Sequence, residues 1–314
     1  MNIVRMRGYN MDINDIIPIQ HTENTPTAKA TRTPKKMKIR ELVGKVHVRD
    51  CIEMMQSIRT GSVQMIFADP PFNLNKKYSL YRDNMEFSEY LAWTEKWVLE
   101  CCRLLRDDGS LFIYNIPKLL VYTAPILNEK LEFRHWISWN SNGRPLGKTL
   151  QPSHYGILFY TKTRESKFYD VRAPHPKCKK CGSFLKDYGG KEHLRHPIGY
   201  QVSDVWNDIH RSRHRKHRIE NHPCQLPVHL LERLILMTTD NNDIVFDPFC
   251  GSGSAAVAAK QMGRRYIGCD IDSEYTKAAN QKYKNAVEVK GEGGENVSMH
   301  LGQFISVRDK DLSK

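Results

Sequence analysis

At 314 residues the chain has room for one sizeable α/β core plus a smaller inserted or appended module, and too little for three ordinary domains. Its 48 Lys and Arg stand against 35 Asp and Glu, a formal charge of +13 that points to a polyanionic partner, nucleic acid first, although a merely basic soluble chain has the same composition. No run approaches the roughly eighteen consecutive apolar residues of a membrane span and no secretory h-region opens the chain, so neither membrane nor export is expected, and eight scattered cysteines suit a reducing, cytoplasmic setting.

Residues 1–40 mix Asn, Thr, Pro and Lys without periodicity and end in the basic run Lys35-Lys36-Met37-Lys38-Ile39-Arg40; they read as a flexible arm, a solvated tail before a phosphate contact. Residues 41–161 read as the first half of an α/β domain. Val63 to Ala68 is a short apolar run that stops at Asp69-Pro70-Pro71, which cannot continue a central strand, so a buried strand ends there in a rigid turn. Ser88 to Leu105 carries Leu91, Val98, Cys101 and Leu105 at helical spacing, an amphipathic helix that Asp107-Asp108-Gly109 should stop. Strands are predicted at Ser110 to Tyr114, Trp136 to Trp139 and Gly156 to Thr161, and the alternation argues for a mainly parallel sheet.

From 162 to 221 apolar periodicity fades while Lys, Arg, His, Gly and Pro crowd in, the mark of an inserted module. The sheet pattern resumes over 222–287: a helix from Pro227 to Thr238, a strand at Ile244 to Phe246, a small-residue helix from Ser254, a strand at Arg265 to Cys269 and a helix from about Ser273. The Gly- and Glu-rich segment 288–314 reads as a loosely ordered tail.

Two short motifs carry chemistry. Asp247-Pro248-Phe249-Cys250-Gly251-Ser252-Gly253 lies between a strand and an Ala-rich helix, with Asp270 at the end of the next strand. Glycines there let the backbone approach a ligand, the helix start offers free N–H groups, and Asp270 is placed to accept from ribose hydroxyls. Gly251-x-Gly253-x-x-Ala256 also meets a relaxed dinucleotide fingerprint. Yet four residues precede the first Gly, one of them a carboxylate, Asp247; beside a pyrophosphate Asp247 repels, beside the ammonium of a methionine moiety it attracts, so S-adenosylmethionine is favoured over NAD. The second motif is Asp69-Pro70-Pro71-Phe72. Methylating an exocyclic amine requires acceptors that free the nitrogen lone pair from the ring; the Asp69 carboxylate and the Pro70 carbonyl supply two, preset by Pro70 and Pro71, and Phe72 can stack on an extruded base.

Together these motifs resemble those of the DNA amino-methyltransferases of restriction–modification and orphan modification systems, over residues 42 to 285. Asp-Pro-Pro-Phe precedes the glycine motif with a basic insert between, which is similar to the β-type permutation of that family. Arg49-Asp50-Cys51 resembles the loop bordering the cofactor adenine, and His222-Pro223-Cys224-Gln225-Leu226-Pro227 the segment that holds the methionine end, with Gln225 in the cofactor set. Gly263 to Asp272 resembles the ribose-binding strand, with Asp270 where Glu is commoner. The resemblance implies a Rossmann-like S-adenosylmethionine-dependent methyltransferase sheet with an inserted target-recognition region. It also implies direct transfer without a covalent enzyme–base intermediate, double-stranded DNA as substrate, a homodimer, and a restriction endonuclease acting on the same site. Asp at the head of the tetrad favours N6 of adenine; N4 of cytosine is the alternative, and a catalytically silent DNA-binding protein a more distant one. A C5-cytosine enzyme needs a Pro-Cys nucleophile turn at the catalytic position, and Pro223-Cys224 lies elsewhere.

Within the insert, Arg211, Arg213, Arg215, Lys216 and Arg218 form a dense basic run expected on DNA phosphates, which fix position and not sequence. Cys178-Lys-Lys-Cys181-Gly182 resembles half of a zinc ribbon; a structural zinc would need histidines such as His175, His193 or His196, and two reduced thiols are the other reading.

Overall fold

The computed structural model describes residues 36–76, 83–140, 150–173, 199–209, 225–288 and 305–307, and between 173 and 199 positions 175, 177, 178, 180–184, 190, 193, 195 and 196. In chain order the elements are α1 (Ile39–Leu42), β1 (Lys45–Val48), α2 (Cys51–Ser57), β2 (Val63–Ala68), α3 (Phe87–Leu104), β3 (Leu105–Asn115), α4 (Pro117–Asn128), β4 (Glu132–Asn140), β5 (His154–Thr161), β6 (Asp170–Ala173), β7 (Tyr200–Gln201), β8 (Val205–Trp206), α5 (Val228–Thr238), β9 (Ile244–Asp247), α6 (Ser254–Gln261), β10 (Arg265–Asp270), α7 (Ser273–Asn285) and β11 (Ile305–Val307).

An eight-stranded sheet runs β1-β10-β9-β2-β3-β5-β4-β8. Its first five strands are parallel, as expected of strands linked through helices. β5 is antiparallel to both β3 and β4. β2 is buried at every position, and its side chains divide between two apolar layers. Met65 and Phe67 meet the layer of α5 and α6, while Ile66 and Ala68 meet that of α2 and α3. A strand covered on both faces has no solvent side, which is why its sequence is apolar but for Gln64, whose buried amide donates to the Asp108 carbonyl at 2.8 Å.

Asp107-Asp108-Gly109 does not separate the helix from the strand. α3 ends at Leu104 and β3 starts at Leu105, with the pairing to β2 slipping from Val63↔Leu105 to Met65↔Ser110. The expected turn is therefore an irregularity inside β3, folded so tightly that a Cβ on Gly109 would lie 2.9 Å from the Arg106 carbonyl oxygen and 3.0 Å from that of Gln64.

The expected insert is tied to the main sheet. β8 pairs with β4 through Ser138↔Val205, and Trp139 donates its indole N–H to the Ile209 carbonyl at 2.8 Å. Arg233 of α5, fully buried, binds the Asp208 carboxylate and stacks its guanidinium 4.6 Å above the Trp206 ring. The segment expected to be a loose tail contributes β11, which pairs antiparallel with β6 in a three-stranded sheet. No helix among the described residues is long and apolar enough to cross a membrane.

Candidate active site

β2 and β9 are parallel neighbours, in register through Met65↔Val245 and Ile66↔Phe246. The chain leaving β2 passes through α3 to β3 on one side, and the chain leaving β9 passes through α6 to β10 on the other. The two loops part at this point and open a crevice at the carboxyl ends of the strands, where open α/β sheets bind ligands. A cavity of about 270 Å³ fills it, lined by Asp69 to Phe72 after β2, Asp247 to Ser252 after β9, Arg49 to Cys51 after β1 and Asp270 to Asp272 after β10. Both sequence motifs thus share one cleft. Of the expected cofactor residues, Gln225 and Gly253 do not line it.

Gly253 works from behind the wall. It caps α6 at φ 81°, and a Cβ there would lie 2.7 Å from that of Ala279 on α7, so glycine lets the two helices close. Gln225 is half-buried, with its side-chain carbonyl oxygen unpartnered among the described residues. Its neighbour Leu226 reaches the cleft and accepts the Ser254 hydroxyl at 2.9 Å.

At the cofactor end, Gly251 (φ 46°) donates its amide to one oxygen of Asp270, and Asp272 donates to the other, both at 2.9 Å. Each oxygen keeps lone pairs for a further donor. Asp247 accepts the Phe249 amide at 3.0 Å. Burial, and then the nearby Asp270 charge, push the Asp247 carboxyl up to about 7. Burial also raises Asp270. The Phe249 ring is wedged edge-on between Trp93 and Trp97. Asp50 caps α2 by accepting the amides of Ile52 and Glu53.

At the catalytic end, the Tyr90 hydroxyl donates to the Pro71 carbonyl at 2.9 Å, which fixes the second proline of the turn. Burial and the Asp247 charge push Asp69 well above the usual carboxylate range, while Lys76 draws it back. Phe72 is only 4% exposed, packed on Tyr114 and Tyr155. The loop beyond it is organised by Asp83, a residue sequence reading did not single out. Its buried carboxylate accepts the amides of Asn73, Leu74 and Lys76 at 2.7 to 3.1 Å. Asn73 and Asn75 both adopt left-handed conformations, which Asn tolerates better than most residues. That pair of asparagines was the available signal for a tight loop; nothing local points to Asp83 as its anchor.

Cys178 and Cys181 do not line the cleft. Cys178 and Cys181 flank a turn closed by the Gly182 amide on the Cys178 carbonyl, and the Cys181 sulfur sits 3.0 Å from the Ser183 hydroxyl. His175 engages the His196 carbonyl through its ring. Among the described residues no three His, Cys, Asp or Glu side chains gather as a metal site, so the zinc expectation finds no ligand set there. Arg211, Arg213, Arg215, Lys216 and Arg218, with His222 to Cys224, lie outside the described residues.

This geometry agrees with comparison to known proteins. The pattern of the N6/N4 DNA methylase family matches residues 63–281. The chain is 42% identical over 252 residues to the type II methyltransferase M.BamHI of Bacillus amyloliquefaciens, a match covering 77% of this chain and 59% of that one. It is 33% identical over 240 residues to the type II methyltransferase M.HpaI of Haemophilus parainfluenzae, covering 74% and 72%. The solved PvuII DNA methyltransferase, described as cytosine-N4-specific, shares the fold with a TM-score of 0.54 at 17% identity, over 76% of this chain and 85% of that chain. The chain belongs to the N6/N4 DNA methylase family.

Proposed function

We propose that this protein is an S-adenosylmethionine-dependent DNA methyltransferase that modifies N6 of adenine in a base flipped out of the duplex. The observation that carries the reading is the convergence of Asp69-Pro70-Pro71-Phe72 and Asp247-to-Ser252 on one cleft at the switch point of the sheet. The donor set fits the cofactor: a buried carboxylate, Asp247, suits an ammonium, and Asp270, already braced by two amides, suits ribose hydroxyls. When bound, S-adenosylmethionine supplies a methyl group activated on a sulfonium.

Asp69 and the Pro70 carbonyl accept the two N–H bonds of the target amine and so turn its lone pair out of conjugation. Held in line, the amine reacts directly, and no cysteine takes part; Cys51 and Cys250, which line the cleft, are pushed up by burial and stay thiols. The raised Asp69 carboxyl is suited to receive the proton that the methylated amine sheds. The basic run from 210 to 218 holds phosphates on this reading, and the partners are double-stranded DNA, a second copy of the chain and an endonuclease cutting the same sequence, in the cytoplasm. Structural zinc at Cys178 and Cys181 is not part of it.

The N4-cytosine reading is supported by the fold shared with the PvuII enzyme and by acceptors that serve either amine. Incubating the protein with mixed-sequence duplex DNA and methyl-labelled cofactor, then separating the nucleosides with mass detection, decides the matter. N6-methyladenine is expected; N4-methylcytosine reverses the base and keeps the mechanism; unlabelled DNA overturns both.

A further inference from the structure

Phe72 closes the catalytic tetrad, and a base entering the cleft would stack on its ring. In the structure that ring already has a companion. The Lys76 ammonium lies 4.8 Å from the ring centroid, and Lys76 and Phe72 both line the cleft. Tyr114 and Tyr155 pack on the ring at centroid distances of 5.8 and 6.2 Å with tilted planes. The backbone that carries the lysine is fixed: its amide donates at 3.1 Å to Asp83, which also accepts those of Asn73 and Leu74. Asp83 is itself 1% exposed.

The charge balance gives the placement a purpose. Asp50, Asp69, Asp247, Asp270 and Asp272 line the cleft, against Arg49 and Lys76. Among the described residues, Lys76 is the cation that acts on Asp69. An ammonium over an aromatic face is attracted by the ring quadrupole and, in a partly desolvated site, competes with any other group for that face.

We propose that Lys76 is a stand-in for the target base: its ammonium occupies the Phe72 face that a flipped base would take, and base entry requires it to withdraw. This rests on the function proposed above and adds a residue to it. Lys76 becomes a further base-binding residue that sets the cost of admitting a base, separate from the residues that act on the amine.

The test is methyl transfer to mixed-sequence duplex DNA at saturating cofactor by the full-length protein, its Lys76→Met variant and its Lys76→Arg variant, with cofactor binding followed by calorimetry to verify that each is folded. Lys76→Met keeps the stem and removes the charge, so its KM for DNA should fall about threefold, the worth of a modest cation–π contact, while Lys76→Arg stays near wild type. A KM that rises, with a flatter salt dependence, would make Lys76 a phosphate contact, and an unchanged KM would make it a surface lysine; either result overturns the inference. If Lys76→Met fails to bind cofactor, Lys76→Gln is read in its place by the same criterion. Absence of transfer by the wild-type chain would instead count against the proposed function itself.

Discussion

The amide of Gly251 donates to the Asp270 carboxylate at 2.9 Å, joining the loop after β9 to the end of β10. Because the Asp272 amide takes the other oxygen, one side chain braces two loops and still presents its outer lone pairs to the cleft. Asp270→Ala should leave both amides without their acceptor, each costing about 1–3 kcal/mol if it stays dry. S-adenosylmethionine affinity by calorimetry should fall at least about tenfold, equivalent to 1.4 kcal/mol.

Asp247 should set a pH dependence of cofactor binding. Burial raises its carboxyl to about 7, whereas an ammonium beside it favours the charged form. Binding should therefore tighten as pH rises from 6 to 8 and release a proton near pH 6.5, seen as different heats in buffers of different ionisation enthalpy. For stability the sign is the reverse. A carboxyl whose folded pKa lies above its unfolded value stabilises most below the unfolded value, and that contribution is lost as pH climbs through about 7. Asp247→Asn should thus raise the melting temperature of the cofactor-free protein at pH 8, by at most about 4 kcal/mol in free energy, while weakening cofactor binding.

Asp69→Ala removes one of the two acceptors for the amine and leaves the hydrogen bonds of the cofactor-binding loops, Gly251 and Asp272 to Asp270 and Phe249 to Asp247, in place. The transfer rate should fall by about 10²- to 10³-fold, the usual cost of one preorganised electrostatic group, with cofactor affinity largely kept. Near-normal turnover would remove Asp69 from the mechanism.

Asp83→Ala tests the loop anchor. Three amides lose a buried carboxylate acceptor, so stability should drop by about 3 kcal/mol in urea titration, and KM for DNA should rise while cofactor affinity holds. Tyr90→Phe, which frees the Pro71 carbonyl, should have a smaller effect in the same direction.

The exposed Cys181 thiol is drawn down to about 7 by hydrogen bonds, first from the Ser183 side chain. Among the described cysteines it should be alkylated first at pH 7.5, with Cys51, Cys101, Cys102, Cys250 and Cys269 reacting only on unfolding because they are buried. Stoichiometric zinc in chelator-washed protein, or Cys181 protected from alkylation, would contradict this free-thiol assignment.

The local sequence determined the elements and the two motifs. Val63 to Ala68 had to be a buried strand because five of its six residues are apolar, and Pro70 and Pro71 had to end it because neither can donate to a sheet ladder. Gly251 and Gly253 marked a turn that only such residues enter easily, and Asp247 spoke for an ammonium by charge alone. These are properties of a few consecutive residues. Only the tertiary structure decided that residues near 65 and 245 lie side by side, because strand pairing joins segments about 180 positions apart and follows from burial and chain crossover. It also decided that β5 runs antiparallel, that β8 joins the main sheet and that Asp107-Asp108-Gly109 sits inside a strand. Asp83 and Lys76 were illegible for the same reason. An acidic residue and a lysine in a polar stretch look alike wherever they fall, and what makes them matter is the set of amides and the aromatic face that folding brings to them.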